Sequence, residues 1–476
     1  MFVPHNAPGM STSTLRYTLL GIFILLTINR AQSQQKVLSL KDAEQIALSN
    51  YASIKAKANQ LNASKASYKE TRTEALPDLK VSAQQDYGTI NGQNGPLFGY
   101  GGLAVASAGP ALANQNYNAA FGSLYVSNIN WDFFSFGKAR EKTKVQGSIV
   151  ALNETDLVQE QFQHQIRVAS AYLNLLVAQQ LYKAQQDNLD RSVQLQTVVV
   201  ARVKNGLNPG VDSSLANAEV SNARIALTNA QQIVHNQSNL LSQYLGIPPQ
   251  QYNLDSTFVS KAPPQPNAAP AIQLDEHPAL RYYRNRIGVS DEQAKYYNTF
   301  AYPTFSLFGV YQGRGSGFKY DYGSNLSDYS SSYGAGANPT RYNYLIGAAV
   351  IWNLTNPFRV HYQVKSQKFT SDQLRNEYDL TSQRLQDETQ LAETRIANSL
   401  KNYNEAPFEV KAATDAYNQK LALYKNGLSN IVDFTQALYV LNRAEVDKDI
   451  ASNNVWQAVL SKAAATGDLN VFMNNF

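Results

Sequence analysis

Apolar positions in this chain follow two rhythms, and each rhythm occurs twice. Between Leu40 and about Thr73, Ala43, Ile46, Ala47, Ile54, Ala58 and Leu61 recur at helical spacing, with Ser39 placed to cap the first turn. That pattern predicts a helix ended by Pro77. From Leu79 the period drops to two, with Leu79, Val81 and Ala83 on one side and Lys80, Ser82 and Gln84 on the other. Residues 121–133 alternate as well, setting Tyr125, Ile129, Trp131 and Phe133 against Asn128, Asn130 and Asp132. Residues 138–205 then pass with almost no helix breaker, enough for a helix of roughly 100 Å if continuous. Within them Ile166, Ala169, Leu173 and Leu176 form a heptad-like seam.

The second half copies the first. Phe305, Leu307 and Tyr311 oppose Thr304, Ser306 and Gln312; Tyr342, Tyr344, Ile346, Val350 and Trp352 oppose Asn343, Gly347 and Asn353. A second unbroken stretch, 358–425, carries Pro407, which predicts a kink, and a last helix carries Phe434, Leu438 and Leu441. The duplication is legible residue by residue. Lys204-Asn205-Gly206-Leu207 recurs as Lys425-Asn426-Gly427-Leu428, and Trp131 and Val211-Asp212 recur as Trp352 and Val432-Asp433, all at an offset of 221. Leu76-Pro77-Asp78-Leu79 matches Tyr302-Pro303-Thr304-Phe305 at an offset of 226. An insertion in a helix rotates its apolar face by about 100°, whereas a loop absorbs one freely. Helix is therefore expected after each Trp, and a variable Gly-rich loop before it, in 89–120 and 314–341.

The organisation that follows is a leader (1–33), a first repeat (34–246), a proline-rich linker (247–276) and a second repeat (277–476). The first repeat holds strands near 79–88 and 121–133 and helices 40–73, 138–205 and 213–245. The second holds strands near 303–313 and 342–354 and helices 277–300, 358–425 and 432–465. Six of the 17 prolines lie between Pro248 and Pro270, which excludes regular helix there.

In the leader, Arg16 precedes the apolar run from Leu19 to Leu26, and Ala31-Gln32-Ser33 forms a small-x-small cleavage pattern. This reads as a secretory signal rather than a membrane span. No later run reaches 18 apolar residues. A mature chain that meets a membrane must therefore do so as a β-barrel or at its surface. Ten-residue alternating segments with Trp and Tyr near their ends fit transmembrane strands, although alternation by itself favours an ordinary half-buried sheet.

Composition narrows the chemistry. Charged residues are only 16% of the chain and the formal net charge is +5, so no nucleic-acid polycation is present. The absence of cysteine excludes disulfides, thiolate metal sites, a thiol nucleophile and a lipidated N-terminal Cys. The five histidines are scattered. Glu160 and His164 stand four apart on a helix with no third ligand near, which reads as a surface contact rather than a metal site. Gly313-Arg314-Gly315-Ser316-Gly317 lacks the strand–turn–helix setting of a phosphate loop or nucleophile elbow. No catalytic, cofactor or metal site is predicted.

Asp212 and Asp433 each follow a Gly-Leu turn by six residues from the glycine. As structural residues they would cap the returning helix or sit at its positive end. In an oligomer they would form a carboxylate ring that attracts cations. A leader, then Leu38-Ser39-Leu40-Lys41-Asp42-Ala43-Glu44-Gln45-Ile46-Ala47-Leu48, then a repeated helix–strand–strand–helix unit with Gly-Leu turns followed by Val-Asp, resembles the TolC-type outer-membrane efflux proteins across the mature chain.

The resemblance implies an α+β membrane protein. Three copies would close a 12-stranded β-barrel in the outer membrane of a diderm bacterium, continued by a long periplasmic α-helical barrel and an equatorial belt. It implies a homotrimer, outer-membrane lipid around it, a periplasmic adaptor, and an inner-membrane RND or ABC-type pump. It places Asp212, Tyr424, Asp433 and Gln436 at a periplasmic aperture, Gln436 standing where the family has a second aspartate. Gly206, Leu207, Gly427 and Leu428 would be the turn positions that adaptors contact, and Gly also suits a left-handed turn. Tyr125, Trp131, Phe133, Tyr342, Tyr344 and Trp352 would mark the membrane interfaces. The arginine expected two residues after the second turn glycine is Ser429, so the closed turn must be held in another way. The function implied is a passive exit duct for efflux or secretion. The alternatives are a dedicated type I protein-secretion duct and a structural periplasmic coiled coil, which would need no strand–loop–strand units. An adaptor subunit would need a lipoyl-like or β-barrel domain that is not evident.

Overall fold

The computed structural model describes residues 37–92, 109, 111–255 and 274–474. The predicted leader, residues 256–273 of the linker and residues 93–108 of the first loop lie outside the described residues.

The elements run α1 (Leu40–Asn50), α2 (Ala52–Thr73), β1 (Asp78–Thr89), β2 (Ala119–Phe134), α3 (Lys138–Lys204) and α4 (Gly210–Leu245) in the first half. The second half runs α5 (Pro278–Asn298), β3 (Thr304–Ser316), α6 (Tyr333–Ala337), β4 (Arg341–Ile351), α7 (Asn356–Lys425), α8 (Ile431–Thr466) and α9 (Asn470–Met473). The helix expected over 40–73 is two helices, broken where Tyr51 takes an extended backbone conformation. Ser39 does cap α1, its hydroxyl accepting from the Asp42 amide at 3.1 Å. Helix α7 continues through Pro407. Among the described residues no helix is long and apolar enough to cross a membrane.

The chain divides into two compact units. One falls within Met1–Ala52, Gln161–Ile272 and Glu388–Phe476. Its core joins the heptad seam of α3 (Ala169, Leu173, Leu176) to Leu40, Ala43 and Ala47 of α1, Leu241 and Leu245 of α4, and Trp456, Val459 and Leu460 of α8. Helix α9 folds back so that Phe472 meets the Trp456 ring edge-on. Tyr172 ties three segments together. Its hydroxyl donates toward the carbonyls of Leu38 at 2.8 Å and Asp255 at 3.2 Å, where Leu38 and Leu254 form a parallel bridge. His164 corrects the surface reading given above. It is fully buried, stacked on Tyr51 at 3.7 Å, with Nε2 2.8 Å from the Tyr244 carbonyl oxygen. A core histidine whose ring nitrogen meets a backbone carbonyl costs little.

The other unit falls within Ser53–Glu160 and Gln273–Asp387 and holds one antiparallel sheet in the order β1-β2-β3-β4. The register pairs Val81 with Ser127, Ser127 with Tyr311 and Tyr311 with Tyr344. The apolar positions Leu79, Val81, Tyr125, Ile129, Trp131, Leu307, Tyr311, Tyr344 and Ile346 thus fall on one face, and a register shift follows Trp131, so that Phe134 pairs with Phe305. The duplication reappears in the hydrogen bonds: Trp131 Nε1 donates to the Ala75 carbonyl at 3.0 Å, and Trp352 Nε1 to the Ala301 carbonyl at 3.1 Å.

Candidate functional site

The two helical turns share one backbone. Gly206 and Gly427 have φ of 71° and 73°, the left-handed region that only glycine enters without cost. The amides of Gly206 and Leu207 donate to Val203 and Arg202, and those of Gly427 and Leu428 to Tyr424 and Leu423, which closes the last carbonyls of α3 and α7 identically. Leu207 and Leu428, next in the chain, are 66% and 74% exposed.

Neither aspartate caps its helix with its side chain. The N-cap of α4 is Pro209, and that of α8 is Asn430, whose side chain accepts from the Asp433 amide at 2.8 Å. Both aspartates lie in the first turn, where the helix dipole favours a carboxylate. Their partners differ. Asp212 accepts from Asn208 Nδ2 at 2.7 Å, and the same amide lies 3.3 Å from the Tyr424 hydroxyl. Asp212 and Tyr424 are therefore joined through Asn208. Asp433 pairs with Lys420 at 3.0 Å and accepts from the Ser429 hydroxyl at 3.4 Å. The hydrogen bond and charge of Lys420 hold the Asp433 carboxyl below its ordinary range.

Arg202 joins the two turns. Its Nη1 donates to the Lys425 carbonyl at 2.7 Å, at the C-terminus of α7, and its Nε to Asn208 Oδ1 at 2.8 Å. The guanidinium lies 5.8 Å from the centre of the Tyr424 ring. Burial and the nearby Asp212 raise the Tyr424 phenol, against the opposing effect of Arg202. Beneath this clasp Tyr424, Phe434, Ile431, Leu195, Val199 and Ala216 form a small buried cluster. Gln436 is exposed on α8. Ser429, where the expected arginine is missing, faces Asp433, and a guanidinium reaches the region from α3 instead.

Arg202, Asn208 and Lys420 escaped sequence reasoning, although a signal for them existed. At the offset of 221 their counterparts are Leu423, Ser429 and Val199, so they stand where the two halves disagree.

On the sheet, the apolar face is bare along much of its length. Val81, Tyr344 and Ile346 are about 80% exposed. Trp131, Phe133, Tyr342 and Trp352 lie exposed on the same rhythm, while Tyr125 is half-buried. Tyr125 is covered because the β3–β4 segment folds onto this face. The Ala337 carbonyl accepts from the hydroxyls of Ser123 and Tyr125, both at 3.1 Å, and the Tyr333 hydroxyl lies 2.6 Å from Gln85 Oε1. Close approach requires glycine here. A Cβ at Gly315 would stand 2.5 Å from the Asn338 and Gly336 carbonyl oxygens, and one at Gly336 would stand 2.1 Å from the Phe121 carbonyl oxygen. The opposite face carries Lys80, Gln84, Asn128, Asp132, Ser306 and Gln312, with Asp78 and Lys80 paired at 2.6 Å.

A duplicated helix–strand–strand–helix–helix chain with a bare apolar sheet face and paired helical turns defines an α+β membrane-protein fold. Residues 44–247 match the outer membrane efflux protein family. The fold is that of solved outer-membrane channels. VceC of Vibrio cholerae aligns at 16% identity and a TM-score of 0.70, covering 90% of this chain and 96% of that one. CmeC of Campylobacter jejuni aligns at 14% identity and 0.71, covering 90% and 85%. The open-state MtrE channel of Neisseria gonorrhoeae aligns at 14% and 0.66, covering 90% and 89%. No curated protein matches the sequence. The fold is therefore the one these outer-membrane channels share, and the first half of the chain matches the model of the outer membrane efflux protein family.

Proposed function

We propose that three copies of this chain close a 12-stranded barrel and form the exit duct of a tripartite efflux system. The observation that carries this is the sheet. Its apolar face is bare, and β1 and β4 each have an unpaired edge among the described strands. An open edge cannot persist in lipid, so the sheet must close on other copies. Along β4 and the residue just past it, the apolar positions run from Tyr342 through Tyr344, Ile346 and Val350 to Trp352. Ten residues at about 3.4 Å each, tilted by about 40°, give a height of roughly 25 Å, the apolar band of an outer-membrane barrel between aromatic girdles.

The gate in this reading is the pair of turns. Arg202, Asn208, Asp212 and Tyr424 hold the second hairpin against the first. Asp433 and Gln436 line the aperture, which is less acidic than one with two aspartate rings. A periplasmic adaptor engages the Gly206-Leu207 and Gly427-Leu428 turns, whose exposed leucines supply apolar anchors. An inner-membrane pump of the RND or ABC type supplies the energy, and the duct does no chemistry. The same duct serves type I protein secretion equally well on physical grounds. A structural periplasmic coiled coil is disfavoured because it has no use for a bare apolar sheet face.

Two measurements test the reading. Purified mature protein should require detergent and conduct in planar bilayers; a protein soluble without detergent and silent in bilayers defeats the duct. A deletion strain should be sensitised to dyes, detergents, bile salts, metals or antibiotics and rescued by the wild-type gene. Loss of a secreted protein without sensitisation assigns the duct to protein secretion.

A further inference from the structure

The sheet register places two arginines directly opposite one another. Arg314 of β3 pairs with Arg341 of β4, and their row continues through Leu124 of β2 to Gln84 of β1. Both arginines stand on the polar face, in register with Gln312 and Asn343. Like charges opposed across a strand pair repel, and sheets ordinarily avoid them. Both side chains are exposed, and no ion pair to either occurs among the described residues.

The nearby carboxylates are engaged elsewhere. Asp86 lies in the next row, on β1, and accepts from Gln84 Nε2 at 2.8 Å. In the β3–β4 segment, Asp328 pairs with Lys319 at 2.8 Å and shares a hydrogen bond with Asp321. Asp132 is held by the Ser306 hydroxyl at 2.5 Å, and Asp78 by Lys80. Residues 90–118, between β1 and β2, contain no charged residue at all. The β3–β4 segment folds over the other face, so the arginine row stays open.

We propose that Arg314 and Arg341 form an oxyanion-binding site on the luminal face of the barrel, at the strand ends that carry the long loops. Its ligands are the carboxylate, phosphate or sulfate groups of departing cargo. This rests on the trimeric duct reading above. Guanidinium forks bind oxyanions bidentately, and two forks one strand spacing apart can straddle a single group. Two per chain give six around the exit of a trimer. The ring is a specificity determinant of opposite sign to the Asp433 ring.

Full-length protein reconstituted in planar bilayers tests the site, with inorganic tripolyphosphate added to each side in turn. Wild type should be blocked from one side only. Arg314→Gln with Arg341→Gln should raise the half-blocking concentration roughly tenfold or more, while Arg314→Lys with Arg341→Lys keeps most of the block. Trimers that run intact on unheated gels establish that each variant has folded. Equal block of wild type and the Gln variant overturns the site. Block that appears only in lipopolysaccharide-containing membranes assigns the arginines to lipid headgroups and overturns the luminal placement. Block that appears only after Asp86→Asn means that a neighbouring copy's carboxylate fills the site, and also overturns it. A wild type that never conducts overturns the duct itself, an outcome distinct from all of these.

Discussion

The two helical turns are the same backbone with different side chains, and the difference is where the contacts between them lie. Lys-Asn-Gly-Leu is repeated without change, both glycines are left-handed, and both Val-Asp pairs start a returning helix. One position or a few to either side, the halves part. Arg202 faces Leu423 in the alignment, Val203 faces Tyr424, and Asn208 faces Ser429. The groups that join the turns are drawn from these mismatched positions. A symmetric clasp would set like against like, two arginines or two tyrosines. Divergence of the halves let one supply a guanidinium and an amide while the other supplied a phenol and a free helix carbonyl. Duplication built the frame, and departure from duplication built the contact.

Several experiments break or sharpen this contrast. The largest effect is expected from Arg202→Ala, which strips the donor from the Lys425 carbonyl and from Asn208 Oδ1. At about 1.5–3 kcal/mol for hydrogen bonds from a charged group, closure should weaken by roughly 10- to 100-fold. Single-channel recording reads this as a longer open time, whereas the same change at the matching site, Leu423→Ala, should leave gating alone. Next come Gly206→Ala and Gly427→Ala. Each forces a Cβ into the left-handed region at about 1–2 kcal/mol. Equal losses in thermal stability would confirm that the backbone is shared; a large inequality would break the symmetry argued here. Tyr424→Phe removes only the 3.3 Å contact with Asn208. It should shift the gate by about 0.5–1 kcal/mol, near the lower limit of what open probability resolves.

The smallest effect belongs to Lys420 and Asp433, an exposed pair. Because the Asp433 pKa is depressed from 3.8, the pair's contribution is fully present above pH 3.8 and is lost as the pH falls through the lower folded value. Gating that changes between pH 7 and 5 would point to another group. High salt should erase the pair's effect at any pH, and Asp433→Ala should lower cation selectivity.

Much of this protein could be read from its letters. The strands were legible because a two-residue period is local, as Val81 and Tyr344 illustrate. The turns were legible because Gly206 and Gly427 repeat within an identical tetrapeptide. The break at Tyr51 was not legible, since Ile46, Ala47 and Ile54 keep helical spacing across it. His164 misled for a related reason: its sequence neighbours give no hint of Tyr51 or the Tyr244 carbonyl. The β3–β4 segment looked like a plain Gly-rich loop, yet Gly315 and Gly336 serve close backbone contact with the sheet.

The sequence by itself determined the duplication, the alternation of helix and strand, the apolar face and the resemblance to outer-membrane efflux proteins. Each of these depends on periodicity or on repeated short motifs, which survive without knowledge of distant contacts. Only the tertiary structure decided that Arg202 and Asn208 bridge the turns, that Asp212 reaches Tyr424 through an intermediary, and that Arg314 faces Arg341. Those partners lie 216 or more residues apart at the turns, and across the sheet they depend on register. A one-residue slip would send every side chain to the other face. Local pattern carries no information about which distant side chain arrives at a given carbonyl, so the frame could be foreseen and the clasp could not.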